Sequence, residues 1–221
     1  MKNIYQREER ERHRRADNTA FILQAAENVF AQWGYSLATM DAIAAEAQFS
    51  KATLYRYFHS KKEIFLKIIL NSLDTAHRRA TEIYEKPLKA EDKLREYIQL
   101  VLSYYKQKES FIKIIFMEKQ ILMKIFKIDF KEFPIKSVKH PEIPAEFMTK
   151  MENMSKIISV IIKDGIKSGE FRNVNVQHAS FVLGALIRGF HISGPLPEKE
   201  FTVNDSAEII LKFFFNGIKN K

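Results

Sequence analysis

The 221-residue chain contains no cysteine. That removes disulfides, thiolate chemistry and cysteine-based zinc sites, and it fits a reducing compartment. Glycine is scarce, with seven residues, and none of them builds a phosphate-cradling loop. Neither G-x-S-x-G nor H-E-x-x-H occurs, and the six histidines are scattered with no i,i+4 pair. The sequence therefore offers no catalytic residue, no metal site and no cofactor site, and an enzyme is not expected. No stretch reaches the roughly 18 uncharged apolar residues of a membrane span. The first residues, M-K-N-I-Y-Q-R-E-E-R-E-R-H-R-R, lack the apolar core of a secretory signal, so a cytoplasmic location is expected.

What is present is apolar bulk and positive charge. Apolar residues make up 46% of the chain and include 18 phenylalanines, enough for a large core in one big domain or two small ones. The net charge is +9, but it is unevenly placed. Residues 1–62 carry 10 basic against 7 acidic side chains, a balance of +3; residues 86–140 carry 13 against 7, or +6. Global charge is thus weak support for a polyanionic partner, and a local constellation must carry that reading.

The constellation is the stretch T-M-D-A-I-A-A-E-A-Q-F-S-K-A-T-L-Y-R-Y-F-H-S-K, Thr39 to Lys61. Thr39 is an N-cap, with Met40, Ile43, Ala44 and Ala47 following at helical spacing. Gln48 and Phe49 carry a turn, and Ser50 caps a second short helix, Lys51 to Phe58. Such a helix is about 12 Å long and fits a major groove about 12 Å wide. Leu54 and Phe58 define its buried stripe, which turns Ala52 and Arg56 outward, flanked by Thr53, Tyr55 and His59. Arginine is the commonest bidentate reader of guanine, and the methyls of Thr53 or Ala52 could meet a thymine methyl. Tyr55, Tyr57 and Lys61 would hold phosphates, and so would Thr39 at the start of the preceding helix. From periodicity alone the same pattern equally fits a solvated pair of surface helices.

The segment Ile22 to Leu66 resembles the DNA-binding domain of the TetR family of transcriptional regulators. The matching runs are I-L-Q-A-A-E-N-V-F-A-Q-W-G-Y, A-T-M-D-A-I-A-A-E-A, F-S-K-A-T-L-Y-R-Y-F and S-K-K-E-I-F-L. The resemblance implies that Thr39, Ser50, Lys51, Thr53, Tyr55, Arg56, Tyr57 and Lys61 touch DNA. Two departures stand out, Gln48 and Ala52, where the family usually has glycine. A non-glycine residue forced to positive φ costs on the order of 1 kcal/mol or more, so strain is expected at Gln48. The added methyl of Ala52 alters the front of the reading helix.

Around this motif, residues 1–16 read as a charged arm. Arg10, Arg12, Arg14 and Arg15 could reach a minor groove, or the arm could be a solvated helix end, since Glu8, Glu9 and Glu11 interrupt it. Residues 17–62 form the helix-turn-helix unit. Its first helix carries Ile22, Ala25, Ala26, Val29, Phe30 and Trp33, with Trp33 as a core anchor and Gly34 as the terminator. Residues 63–221 form a larger helical ligand-binding and dimerisation domain. A long helix starts at Ser60 with Glu63 closing a capping box, and Pro87 follows its end. Its length makes it the expected link between the two domains. Further helices are expected at Ala90–Gln107, over a segment from Ser110 that is apolar on more than half its circumference, and at Ala145–Lys167, Asn175–Ile192 and Asn204–Lys219. His77, Tyr104, Tyr105, Phe116, Met117, Met123 and Phe126 are candidate contacts for a small molecule with apolar bulk, although His77 also suits an ordinary interdomain or surface histidine and the Phe and Met residues a plain bundle core.

The last two helices are rich in apolar residues that look exposed, and Phe181, Gly184, Leu186, Phe190, Ile210, Phe213 and Phe214 are read as a dimer face. In the resembled family the last two helices typically build such an interface. The expectation is an all-α fold of about nine helices, acting as a ligand-responsive regulator. It would bind a palindromic double-stranded operator as a homodimer, with repression the expected sign. The competing reading is a helical adaptor whose basic middle segment binds acidic proteins or membrane surfaces.

Overall fold

The computed structural model describes residues 2–109, 145–192 and 201–218, and all of its regular structure among them is helical. Eight helices are described: α1 (Lys2–Leu37), α2 (Met40–Glu46), α3 (Lys51–Tyr57), α4 (Lys61–Glu85), α5 (Ala90–Gln107), α6 (Ala145–Lys167), α7 (Val176–Ile192) and α8 (Val203–Ile218). The helix expected from Ser110 and the proline-rich loop after it lie outside the described residues. No described helix is long and apolar enough to cross a membrane.

Among the described residues, those up to Asn71 form one compact unit and those from Ser72 form another. By backbone, α4 is one continuous helix that contributes residues to both. Its start follows the expected chemistry. Ser60 Oγ accepts from the Glu63 N–H at 3.2 Å, while the Glu63 carboxylate reaches back to the N–H of His59 at 2.7 Å, one residue before the cap.

The first unit, the head, buries the stripe Ile22, Ala25, Ala26, Val29 and Phe30 of α1. Gly34 ends the regular part of α1 at φ 73, ψ 169, a backbone region essentially restricted to glycine. The break matters because it redirects the chain. Tyr35, one residue later, folds into the core and packs against Phe30 and Phe65 with ring centroids 5.6 and 4.9 Å away. Trp33, expected to be the core anchor, is instead 46% exposed. Phe30 and Phe65 meet edge to face at 5.3 Å, so three rings, not the indole, anchor this part of the core.

The second unit, the body, has a core drawn from α4, α5, α6, α7 and α8. Leu94 and Ile98 meet Ile161 and Ile162, together with Leu183, Leu211 and Phe214. Each such side chain contributes about 1.5–3 kcal/mol relative to leaving it in water. Two polar ties cross this core: Tyr84 Oη donates to Asp164 at 3.0 Å, and the hydroxyls of Ser159 and Ser180 lie 3.0 Å apart. Gly165 is obligatory for packing, because a Cβ there would overlap the Phe171 ring and meet Ala90 Cβ at 2.9 Å. Gly169 closes α6 at φ 79, as the S-G-E-F sequence predicts. Asn175 caps α7 through the His178 N–H at 2.9 Å, and Thr202 and Asp205 cap α8 reciprocally, both at 3.1 Å.

Candidate nucleic-acid interface

The turn before the reading helix is built by backbone bonds. The Phe49 N–H donates to Ala44 O at 2.9 Å and the Gln48 N–H to Ala45 O at 3.0 Å, a Schellman closure of α2. That closure requires a left-handed residue, and Gln48 supplies it at φ 55, the strained non-glycine position that the sequence departure predicts. Thr39 Oγ1 accepts from the Ala42 N–H at 3.1 Å, which leaves its own proton to donate. Ser50 Oγ accepts from the Thr53 N–H at 3.1 Å and lies 2.8 Å from Thr53 Oγ1.

On α3, Leu54 and Phe58 are buried, while Lys51, Ala52, Tyr55 and Arg56 are exposed and Thr53 and Tyr57 half-buried. Lys51 Nζ pairs with Asp41 of α2 at 2.8 Å. The hydrogen bond that Lys51 donates to Asp41, reinforced by the carboxylate charge, holds the Lys51 ammonium above the usual lysine value. The pair is exposed, so a phosphate can replace the carboxylate at little cost.

Tyr57 is clamped on three sides. Asn18 Nδ2 donates to its phenol oxygen at 2.8 Å, Phe49 stacks on its ring at 6.5 Å, and the Arg15 guanidinium lies over it at 5.9 Å. Tyr57 and Arg56 then line a cleft of about 230 Å³ with Glu11, Arg14 and Arg15 of α1. The arm is therefore helical from Lys2. A helix about 10 Å across does not itself enter a minor groove about 6 Å wide, so only arginine side chains projecting from it could reach one. Arg14 and Arg15 beside α3 were legible only as a charged run; their helical register with Asn18 was the missing signal.

Lys61 is a correction. The sequence pattern places its ammonium on a DNA phosphate, but its three N–H donors are engaged inside the head. Nζ donates to the carbonyls of Tyr35, Ser36 and Ala38 at 2.8, 3.0 and 2.8 Å, and sits 4.7 Å from the Tyr35 ring. It closes the carbonyl end of α1 after the Gly34 break.

In the body, His77 is half-buried and its Nδ1 is shielded without a hydrogen-bond partner among the described residues. Tyr104 and Tyr105 are half-buried on α5, and burial raises the Tyr105 phenol, with the Arg188 charge acting the other way. Phe116, Met117, Met123 and Phe126 lie outside the described residues. Of the apolar residues read as a dimer face, Phe181 and Phe213 are 71% and 70% exposed and Leu186 is also exposed. Gly184 and Phe190 are half-buried, with Phe190 edge-on to Phe201 at 5.9 Å. Ile210 and Phe214 are a second correction. At 2% and 4% exposure they belong to the chain's own core, on the α8 stripe shared with Ala207, Leu211 and Ile218. Among the described residues no group of three or more carboxylates and histidines is placed to hold a metal ion.

Comparison with known proteins agrees with this geometry. Residues 22–68 match the family described as bacterial regulatory proteins, tetR family, and residues 116–214 match the QacR-like protein, C-terminal region. The uncharacterized HTH-type transcriptional regulator YhgD of Bacillus subtilis is 31% identical over 170 residues, covering 76% of this chain and 78% of its own. The HTH-type transcriptional regulator RutR of Escherichia coli K12 is 24% identical over 213 residues, covering 90% and 89%. Among solved structures, the TetR family transcriptional regulator PfmR of Thermus thermophilus superposes with a TM-score of 0.69 at 20% identity, over 88% of this chain and 97% of its own. The chain is a helix-turn-helix DNA-binding protein and belongs to the TetR family of bacterial transcriptional regulators.

Proposed function

We propose that the protein is a ligand-responsive repressor that binds a palindromic operator as a homodimer in the cytoplasm. The observation that carries the DNA face is α3. Its apolar side is buried while Lys51, Ala52, Tyr55 and Arg56 stand in solvent, beside the donors of Thr39, Ser50 and Thr53. A two-fold dimer would present two such helices to half-sites about 34–36 Å apart, or a multiple of that. The exposed Phe181, Leu186 and Phe213 support α7 and α8 as the surface joining the protomers. A small molecule with apolar bulk would bind in the body, and the Nδ1 of His77, which has no hydrogen-bond partner among the described residues, supports a polar contact there. Because α4 is one helix through both units, a ligand preferring one body conformation would bias the spacing of the heads, with coupling of about 1–3 kcal/mol.

Fluorescence anisotropy tests this directly. The wild-type protein should prefer a duplex enriched from a random pool over scrambled competitor, with a steep salt dependence. Equal binding to both duplexes at every ionic strength would remove the reading. Sedimentation should give a dimer, and Phe181→Asp with Phe213→Asp should yield monomers that bind the operator far more weakly.

A further inference from the structure

We infer that the cleft between α1 and the end of α3 is a seat for a phosphate of the DNA backbone, and that Arg56 works there as a phosphate contact instead of reading a base. This rests on the reading of the chain as a DNA-binding protein. The cleft is lined by three arginines, Arg14, Arg15 and Arg56, with Tyr57 and Glu11, and the Arg15 guanidinium lies 5.9 Å from the centre of the Tyr57 ring. Among the described residues none of the three arginines forms an ion pair, and the one carboxylate in the cleft, Glu11, is paired at 3.9 Å with Arg7. Three guanidinium charges against the single carboxylate of Glu11 leave the cleft net positive, and an anion bound there relieves the remaining repulsion.

The donors match a phosphate in kind. Guanidinium groups bind it through paired N–H bonds, and the Tyr57 oxygen already accepts from Asn18, so the remaining Tyr57 proton is a donor. The seat is also held in place. α1 runs as regular helix from Lys2 to the break at Gly34, and Arg15 lies over the ring that Phe49 and Asn18 fix. Arg56 stands in the last turn of α3 and lines the cleft with α1, away from the start of the reading helix. Base readout then falls to Lys51, Ala52, Thr53 and Tyr55 nearer the start of the helix.

The test uses the full chain and two duplexes, one enriched by the wild-type protein from a random pool and one scrambled. Arg14→Ala with Arg15→Ala should weaken both duplexes by the same factor. It should flatten the slope of log affinity against log salt by about 0.9 for each phosphate no longer neutralised. Arg56→Ala should do the same and leave the affinity ratio of the two duplexes unchanged. Arg78→Ala with Arg79→Ala, the same charge change at exposed positions of α4 in the second unit, should keep the wild-type slope. These side chains are exposed, and thermal melting checks that each variant folds.

The inference is overturned if the Arg14 and Arg15 variant keeps the wild-type slope, if the control variant flattens it equally, or if Arg56→Ala collapses the ratio. Because a seat for a backbone phosphate also takes the free ion, inorganic phosphate at matched ionic strength should displace DNA from the wild type more than chloride does, and the excess should vanish in the Arg14 and Arg15 variant. An excess that survives in that variant would place the anion elsewhere and overturn the assignment. A wild-type protein that discriminates no duplex would count against the DNA-binding reading itself, before the cleft is reached.

Discussion

Asn18 donates a 2.8 Å hydrogen bond to the phenol oxygen of Tyr57, tying the first helix of the head to the third. The bond fixes a ring that Phe49 and Arg15 also hold. Tyr57→Phe keeps the packing and removes the hydroxyl. Stability should fall by about 1 kcal/mol in urea titration, the usual worth of one such bond. DNA affinity should fall severalfold on every sequence alike, since a backbone contact carries no base information. A variant as stable as wild type would show that the bond does not form in solution.

Lys61 should matter to folding before it matters to DNA. Lys61→Met preserves the stem and strips the charge from three carbonyls at the end of α1. A loss of about 2 kcal/mol is expected by chemical denaturation, because the site is only partly shielded. Lys61→Arg should not restore it, since a planar fork does not point three donors at three converging oxygens. If the melting temperature without DNA is unchanged and only DNA binding suffers, the capping role is wrong.

At Gln48 the direction is reversed. Its φ of 55 suits glycine, so Gln48→Gly should gain up to about 1 kcal/mol, reduced by the extra freedom of the unfolded chain. Gln48→Val should lose about 1 kcal/mol or more, because a β-branched residue tolerates this region worst. Equal stability of the three proteins would mean the Schellman closure is absent in solution.

High pH offers a test of the body. Burial pushes the Tyr97 phenol far above its ordinary value of 10.0, with the nearby Tyr105 adding to it and Arg188 opposing. The folded chain then keeps its phenol proton where the unfolded chain has lost it. Stability should hold below pH 10 and decline above it, by about 1.4 kcal/mol per pH unit for each such group. Tyr97→Phe should flatten that alkaline decline, read by urea titration at stepped pH.

The two helices around Ser50 were legible because their signals are local. Caps at Thr39 and Ser50, spacing between Leu54 and Phe58, and a non-glycine residue at the turn each act within a few residues. The exchange of Trp33 for Tyr35 was not legible, since the break at Gly34 decides which ring swings inward, and periodicity ends there. Ile210 and Phe214 were misassigned for a similar reason. α8 is apolar around much of its circumference, and only the position of α5 shows which stripe is inward. The roles of Lys61 and of Arg14 with Arg15 depend on partners 23 or more residues away for the first and about 40 for the others, beyond any local pattern.

The exposure of Trp33 has an optical consequence. It is the chain's one indole, and it sits on α1 next to the Gly34 break, outside both cores. Emission excited at the red edge of protein absorption therefore originates from the head's surface alone. Such a signal would follow the head's own environment, separately from the phenylalanine-rich interior of the body.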